Sequence, residues 1–453
     1  MTNVLHPQLS GLGRNPTAPE DVLVRLAAHA AGRDEISWRR ERLADAVVEA
    51  LLAHGDGDTA VSLHGDRVSP AMRRRIAEHP DPAVRDAFGD YVRDSVARGT
   101  HVGVEDLEEA YGRPRTALVV APTPALRAAV ARAWYKRPLD VQAGLLADPD
   151  PHVRAVATEH ERPGVPPEWR ARCLADPAVR VNVARHVPLT SDQFAQLMGS
   201  ADEEVVQAVA GNPHLSAEMV ARLLDCEDPM VRVSVAQSRH VDAETRDRLY
   251  ALVAAEDADG NVDAYVALSW NFAEPDWLRE APLDERLTYL HSPHSIFRRV
   301  LASCHDLPAE AWRQLDNDPD LRVRRAAARR PDAPPEVLER LLRAHGDVRH
   351  IRPTLVEHPH FPREALRTFV DEPDPHVRYL ALRDPELPVP ALRQLAAAAE
   401  PFVRRGVGRH PNVTEALLDQ LLSDPAPEVV HDAAANSALP LPRMYRILTT
   451  AGL

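Results

Sequence analysis

A short phrase recurs along the chain and limits what it can fold into: an acid, proline, any residue, Val or Leu, then arginine. It reads Asp81-Pro82-Ala83-Val84-Arg85, Asp150-Pro151-His152-Val153-Arg154 and Asp176-Pro177-Ala178-Val179-Arg180. It returns at Asp228 to Arg232, Asp318 to Arg322 and Asp374 to Arg378, with Glu400 to Arg404 a near match. Looser copies sit at Leu126-Arg127, Phe297-Arg298 and Val348-Arg349, and at Val205 and Val429, which Val206 and Val430 follow in place of arginine. Anchored on the aliphatic position, Val153, Val179, Val205 and Val231 stand 26 residues apart. Phe297, Leu321, Val348, Val377, Val403 and Val429 follow at 24, 27, 29, 26 and 26. A period kept over some twelve copies means a repeat array rather than one globular core in these 453 residues.

One unit, 212–236, shows the physics. Asn212-Pro213 ends the preceding helix, because proline cannot continue it and biases its neighbour away from helix. Ser216 is a good N-cap with Glu218 in the first turn, and Met219, Val220, Leu223 and Leu224 form one apolar stripe. Asp228-Pro229 then opens a second helix, lined by Val231, Val235 and Ala236. The same stripe recurs at Val337, Leu338, Leu341, Leu342 and at Leu417, Leu418, Leu421, Leu422. One such unit buries too little to stand alone, so neighbours must stack. Aromatics are only 5% of the chain, which leaves the core to Ala, Leu and Val and favours helix over strand.

These residues resemble the leucine-rich repeat variant (LRV) family and its HEAT-like relatives. The resemblance is carried by Val231-Arg232, Val235-Ala236, Asn212-Pro213, His358-Pro359 and His410-Pro411, with Asn15-Pro16 and Pro19 to Leu23 as an N-terminal copy. It covers most of 5–35 and 70–445. It implies an all-α, right-handed α-solenoid of two-helix repeats, here of roughly 26 residues, and hardly any particular function. A branch of the family carries a cysteine-ligated iron–sulfur cluster. Cys173, Cys226 and Cys304 are too few and too scattered to hold one, so no cofactor is expected.

The register divides the chain into an N-terminal capping region with one degenerate repeat (1–70), a repeat array (71–237), irregular aromatic-rich repeats (238–296) and a second array (297–453). Residues 440–453 read as a last half-repeat, with Met444, Tyr445, Ile447 and Leu448 capping an open end. The irregular stretch gathers Tyr250, Tyr265, Trp270, Phe272, Trp277 and Tyr289 in a chain otherwise poor in aromatics. These are either a repeat repacked with larger side chains or a binding hot spot, since Trp and Tyr dominate interface energetics. Tyr265, Trp270, Phe272, Trp277 and Tyr289 are the candidate partner-binding residues.

The arginines admit two readings. Each Asp N-cap and the Arg four residues on, as in Asp150 and Arg154 or Asp374 and Arg378, can pair on one helix face and stack into a structural ladder. An exposed column would instead bind phosphate or carboxylate, and Arg324, Arg325, Arg329, Arg404 and Arg405 are its candidates. The formal net charge of −14 disfavours nucleic acid. Lys136 is the sole lysine, a skew toward arginine that suits a GC-rich, bacterial-like composition.

No HExxH, GxSxG, GxGxxG or Walker lysine motif occurs. Many of the 21 histidines, among them His79, His152, His186, His358, His360, His376 and His410, sit before prolines or within the repeat phrase, where helix ends and turns explain them without ligand spacing. Asp257 to Asp263 lacks the closing Glu of a calcium loop and reads as a polar inter-helix turn. Trp270, Trp277 and Asp276 are the one cluster that could imitate a HEAT-like DNA glycosylase. No stretch approaches 18 apolar residues and no signal core opens the chain, so membrane association is not expected and the cytoplasm is. The expected function is a non-enzymatic protein–protein interaction scaffold without metal or cofactor, with polyanion binding as the alternative.

Overall fold

The computed structural model describes residues 4–39, 41–159, 163–200, 202–269, 274–346 and 354–453. Among these every regular element is helical. The chain forms two compact units: residues 1–91 together with 328–453, and residues 92–327.

Within 92–327 the two-helix repeats stack as the resemblance implies. Leu145, Val153, Val183, Val209, Val231, Val253, Val300 and Val323 lie in one continuous aliphatic core, into which Phe194 and Phe297 are wholly buried. The second helix of a repeat is short, seven residues in Pro151–Ala157 and eight in Pro229–Ala236. Its cap is the acid–proline pair. Asp150 accepts from the N–H groups of His152 and Val153 at 2.9 and 3.3 Å, and Asp228 from those of Met230 and Val231 at 2.7 and 3.3 Å.

The repeat arginine does not pair with the cap acid of its own helix. Arg154 reaches Asp176 at 2.6 Å instead, and Arg378 reaches Glu400 at 3.0 Å. The expected ladder is therefore built between repeats, with each rung spanning some twenty residues: Arg127 to Asp148, Arg298 to Asp318 and Arg404 to Asp424 are bidentate. The same guanidinium also donates to the carbonyls six and five residues before it, Ala121 and Pro122 for Arg127, Asp148 and Pro149 for Arg154, Ala398 and Ala399 for Arg404. That signature corrects one register. Arg324, not Arg322, binds the carbonyls of Asp318 and Pro319, and Val323 is fully buried where Leu321 is only half-buried. The anchor spacing from Phe297 is thus 26 and not 24.

A second ladder runs through the residues before proline and their equivalents. Asn212 Nδ2 donates to the carbonyls of Ala184 and Val187 in the preceding repeat, and Asn436 Nδ2 to those of Gly408 and His410. His358 and His410 replace the amide, each bonding a carbonyl about one repeat back (Arg330 and Asp384) through Nε2 and accepting a local N–H at Nδ1. The bond accepted at Nδ1 requires the neutral imidazole, and burial pushes the His410 pKa down, outweighing the Asp384 carbonyl that favours the charged form.

In the unit formed by 1–91 and 328–453, the chain ends meet. Asn15 Nδ2 donates to the carbonyls of Ala434 and Asn436 at 3.0 and 2.7 Å, repeating what Asn436 does to its own predecessor. Helix Leu5–Arg14 packs on Pro427–Ala434, so closely that a Cβ at Gly11 would lie 2.1 Å from the His431 carbonyl oxygen. Tyr445 donates to Asp21 at 2.6 Å. Residues 440–453 therefore do not face an open end, because the N-terminal repeat takes the place of the next one.

Two outcomes follow. Arg127→Ala strands the Asp148 carboxylate and two carbonyls in a buried rung, and should cost about 3 kcal/mol in urea unfolding; a loss below about 0.5 kcal/mol would show that the rung is ornamental. For His410 the folded pKa lies below that of the unfolded chain, so its contribution is complete above about pH 6.5 and is lost as pH falls below that value. His410→Asn keeps the carbonyl bond, as Asn212 and Asn436 do, and should flatten the fall of Tm between about pH 7 and 5; an unchanged slope refutes this role.

Candidate interaction site

The repeat pattern breaks in 92–327 at helix Ala243–Ala258, which at 16 residues has twice the length of its repeat neighbours. Asp242 caps its start by accepting from the Thr245 N–H at 2.8 Å. No proline interrupts it, and it runs until Gly260, whose φ of +88° only glycine adopts readily. The Asn261 N–H closes the helix end on the Glu256 carbonyl, and Asn261 Oδ1 then caps the next helix through the Asp263 and Ala264 N–H groups. The acidic stretch 257–263 is thus a stop and a start joining two helices, Ala243–Ala258 and Val262–Ser269, into a hairpin.

The inner side of this hairpin organises the aromatics. Arg246 is buried, donates to the carbonyls of Ala236, Ser238 and Val241, and lies over the rings of Tyr289 and Phe297 at 5.3 and 4.6 Å. Tyr289 stacks on Phe297 and meets Trp277 edge-on at 5.7 Å. Trp277 Nε1 donates to the Gln237 carbonyl at 2.8 Å. Tyr250 stacks on His294 at 3.9 Å, and burial pushes its hydroxyl up to about 12. Burial also pushes the His294 pKa down despite its 2.8 Å bond to Asp247, so the neutral ring donates that bond.

Of the candidate partner-binding residues, Trp277 and Tyr289 are therefore engaged in packing the irregular repeat, while Tyr265 is 54% exposed on the hairpin's second helix. Trp270 and Phe272 lie outside the described residues. Asp276 is exposed and paired with Arg279. Sequence reading missed the hairpin's outer side. Val262 is 71% and Leu252 44% exposed, and Ala251, Ala254, Ala255 and Ala258 are exposed beside them. The signal was present, since residues 249–255 are apolar without a break and so on every side of the helix, whereas a helix with one buried face needs only one such stripe.

The anion-binding candidates divide by position. Arg324 holds carbonyls and Arg404 the Asp424 rung, while Arg405 and Arg409 converge on the buried Asp432 at 2.5 and 2.6 Å. Burial raises the Asp432 pKa, but His431 and these two arginines outweigh it and hold the carboxyl below its usual range. Arg325 is half-buried and Arg329 exposed. In the unit formed by 1–91 and 328–453, an open cleft of about 400 Å³ is lined by Arg343, His345, His376, Tyr379 and Arg383. Arg343 there is paired with Glu339 and Glu372 and lies over Phe369.

Short paired helices, an aliphatic core and inter-repeat rungs define a helical repeat protein that fits a HEAT-like solenoid. The family model described as leucine rich repeat variant matches residues 321–345, the repeat in which Val323 and Arg324 hold the anchor positions. No curated protein matches the chain. A solved structure titled as an engineered protein aligns over 99% of each chain at 15% identity, with a TM-score of 0.19, too low to bear on fold or function. No helix among the described residues is long and apolar enough to cross a membrane.

The two sides of the hairpin separate in stability. Trp277→Phe removes the donor to the Gln237 carbonyl and should lower stability by about 1 kcal/mol, whereas Tyr265→Ala should stay within about 0.5 kcal/mol. Thermal unfolding followed by circular dichroism distinguishes them, and equal losses would mean that Tyr265 also serves packing.

Proposed function

We propose that the chain is a non-enzymatic, cytoplasmic scaffold that binds another protein, and that it does so through the outer side of the 243–269 hairpin. One observation carries this reading: Leu252, Val262 and Tyr265 are exposed on the two helices of the hairpin, in the stretch where the repeat pattern of 92–327 breaks. Tyrosine and large aliphatic side chains provide the contact area on which interfaces depend. Three scattered cysteines in 453 residues suit a reducing compartment.

The alternative is polyanion binding through arginine. One experiment treats both. Tagged full-length chain, wild type and the Leu252→Glu/Tyr265→Glu double variant, is incubated with native lysate at low and high salt, with and without nuclease. The scaffold reading expects a discrete protein retained at both salts, indifferent to nuclease and lost from the double variant. Nucleic acid that disappears at high salt would replace it with the polyanion reading, and equal capture by the double variant would move the site elsewhere.

A further inference from the structure

Neighbouring arginines of the last repeats use their donors in different ways. Arg404 engages all three of its nitrogens, Nε and Nη2 on Asp424 and Nη1 on the carbonyls of Ala398 and Ala399. Arg405 reaches Asp432 with Nε alone, at 2.5 Å. Arg409, one turn on, meets the same Asp432 oxygen with Nε at 2.6 Å and the other oxygen with Nη2 at 3.2 Å. His431 Nδ1 donates to that second oxygen at 2.9 Å. Asp432 is buried, and each of its oxygens already holds two partners, which fills a carboxylate. Both terminal nitrogens of Arg405 and Nη1 of Arg409 are therefore left without an acceptor among the described residues, on side chains that stand 41% and 50% exposed.

The charge is incomplete in the same place. Two guanidiniums stand side by side on one carboxylate, and the other charges around them are engaged elsewhere. Arg14 pairs with Glu35, which also lies 3.7 Å from His431 Nε2. Arg383, one repeat earlier, faces Glu357 at 3.9 Å. Glu428, one turn before Asp432, acts on Arg404 and makes no ion pair with Arg405 or Arg409. The carbonyl end of helix Pro401–Gly408 adds only a partial negative charge. Two like charges held by a single buried anion gain from a second anion on their outward side.

We propose that Arg405 and Arg409 form a binding site for a phosphate group, free or as a monoester, with Asp432 as the buried strut that aims them. The open nitrogens belong to two side chains. A tetrahedral anion with three or more oxygens can reach both, whereas a planar carboxylate is satisfied by one fork. The site is independent of the hairpin and of the scaffold reading.

Isothermal titration calorimetry tests this on the full-length chain, in chloride buffer near neutral pH and at fixed ionic strength. Inorganic phosphate, methyl phosphate and acetate are the titrants. Phosphate should bind saturably and about tenfold more tightly than acetate. Arg405→Gln and Arg409→Gln should each weaken phosphate about tenfold. Arg405→Lys keeps the charge but loses the terminal nitrogens, and should weaken it as well. It also keeps a cation beside Asp432, so it carries the test if circular dichroism shows the glutamine variants unfolded. Arg446→Gln removes the same charge from an exposed position on another helix and should change nothing. Binding of both phosphates supports a monoester site, and binding of inorganic phosphate alone supports a site for the free ion. No saturable binding of either phosphate would overturn the proposal, as would acetate binding equally well. Full affinity in Arg405→Lys, or equal loss in Arg446→Gln, would reduce the effect to bulk charge and overturn it too.

Discussion

The arginine that closes most repeats is the group on which the stack depends, because it resolves a conflict built into short repeats. A helix of seven or eight residues leaves a large share of its backbone groups without intrahelical partners, and here the preceding loop is pressed between neighbouring repeats. Arg127 serves the carbonyls of Ala121 and Pro122 with one nitrogen and the Asp148 carboxylate with two others. Burial raises the Asp148 pKa, but that arginine and the Asp150 N–H outweigh it, so the carboxyl stays ionised and the rung stays charged on both sides. A planar guanidinium can divide its donors among three acceptors in fixed directions, and an ammonium cannot reproduce this fork. The three-way rung therefore requires arginine, and its acid belongs to the next repeat; at Val205, where arginine is missing, Gln207 makes only the single bond to Asp228.

Two ladders of different chemistry then fix the stacking step. The arginine ladder joins a helix to the following repeat, and the Asn/His ladder joins a turn to the preceding one. Their combination sets both distance and rotation between neighbours in a core of Ala, Val and Leu whose shapes are too alike to do so alone. The meeting of the chain ends is a consequence. Asn15 finds in Ala434 and Asn436 the same pair of carbonyls that Asn436 finds in Gly408 and His410. A contact across more than 400 residues is thus made with the vocabulary of a contact across 26.

Periodicity made the helices and the core legible in the sequence, since the anchor valines and leucine stripes must face inward at helical spacing. Pairing was less legible. Asp150 and Arg154 lie four apart and look like partners, but the carboxylate turns to the helix N-terminus, and only the stacking of repeats reveals Asp176. The Leu321 register failed for a related reason: Asp318-Pro319-Asp320 offers two acids near one proline, and the carbonyl bonds of Arg324 decide between them. At the irregular repeat the aromatics drew attention because they are rare. Their clustering reflects Arg246, a buried cation that needs ring faces and carbonyls where an acid is lacking, and nothing in the linear pattern marks Arg246 as buried. The outer hairpin face was readable in principle, as an excess of apolar positions over what one stripe requires.

That excess distinguishes the hairpin from the repeat helix that precedes it. In Pro229–Ala236 the core valines, Val231 and Val235, are spent on burial. In Ala243–Ala258 the inner positions Leu249, Tyr250 and Val253 already satisfy the core, and Leu252 with the alanines adds nothing to it. Exposed apolar surface favours nonspecific association, and a rim of like charge counters this by repelling copies of the same acidic chain.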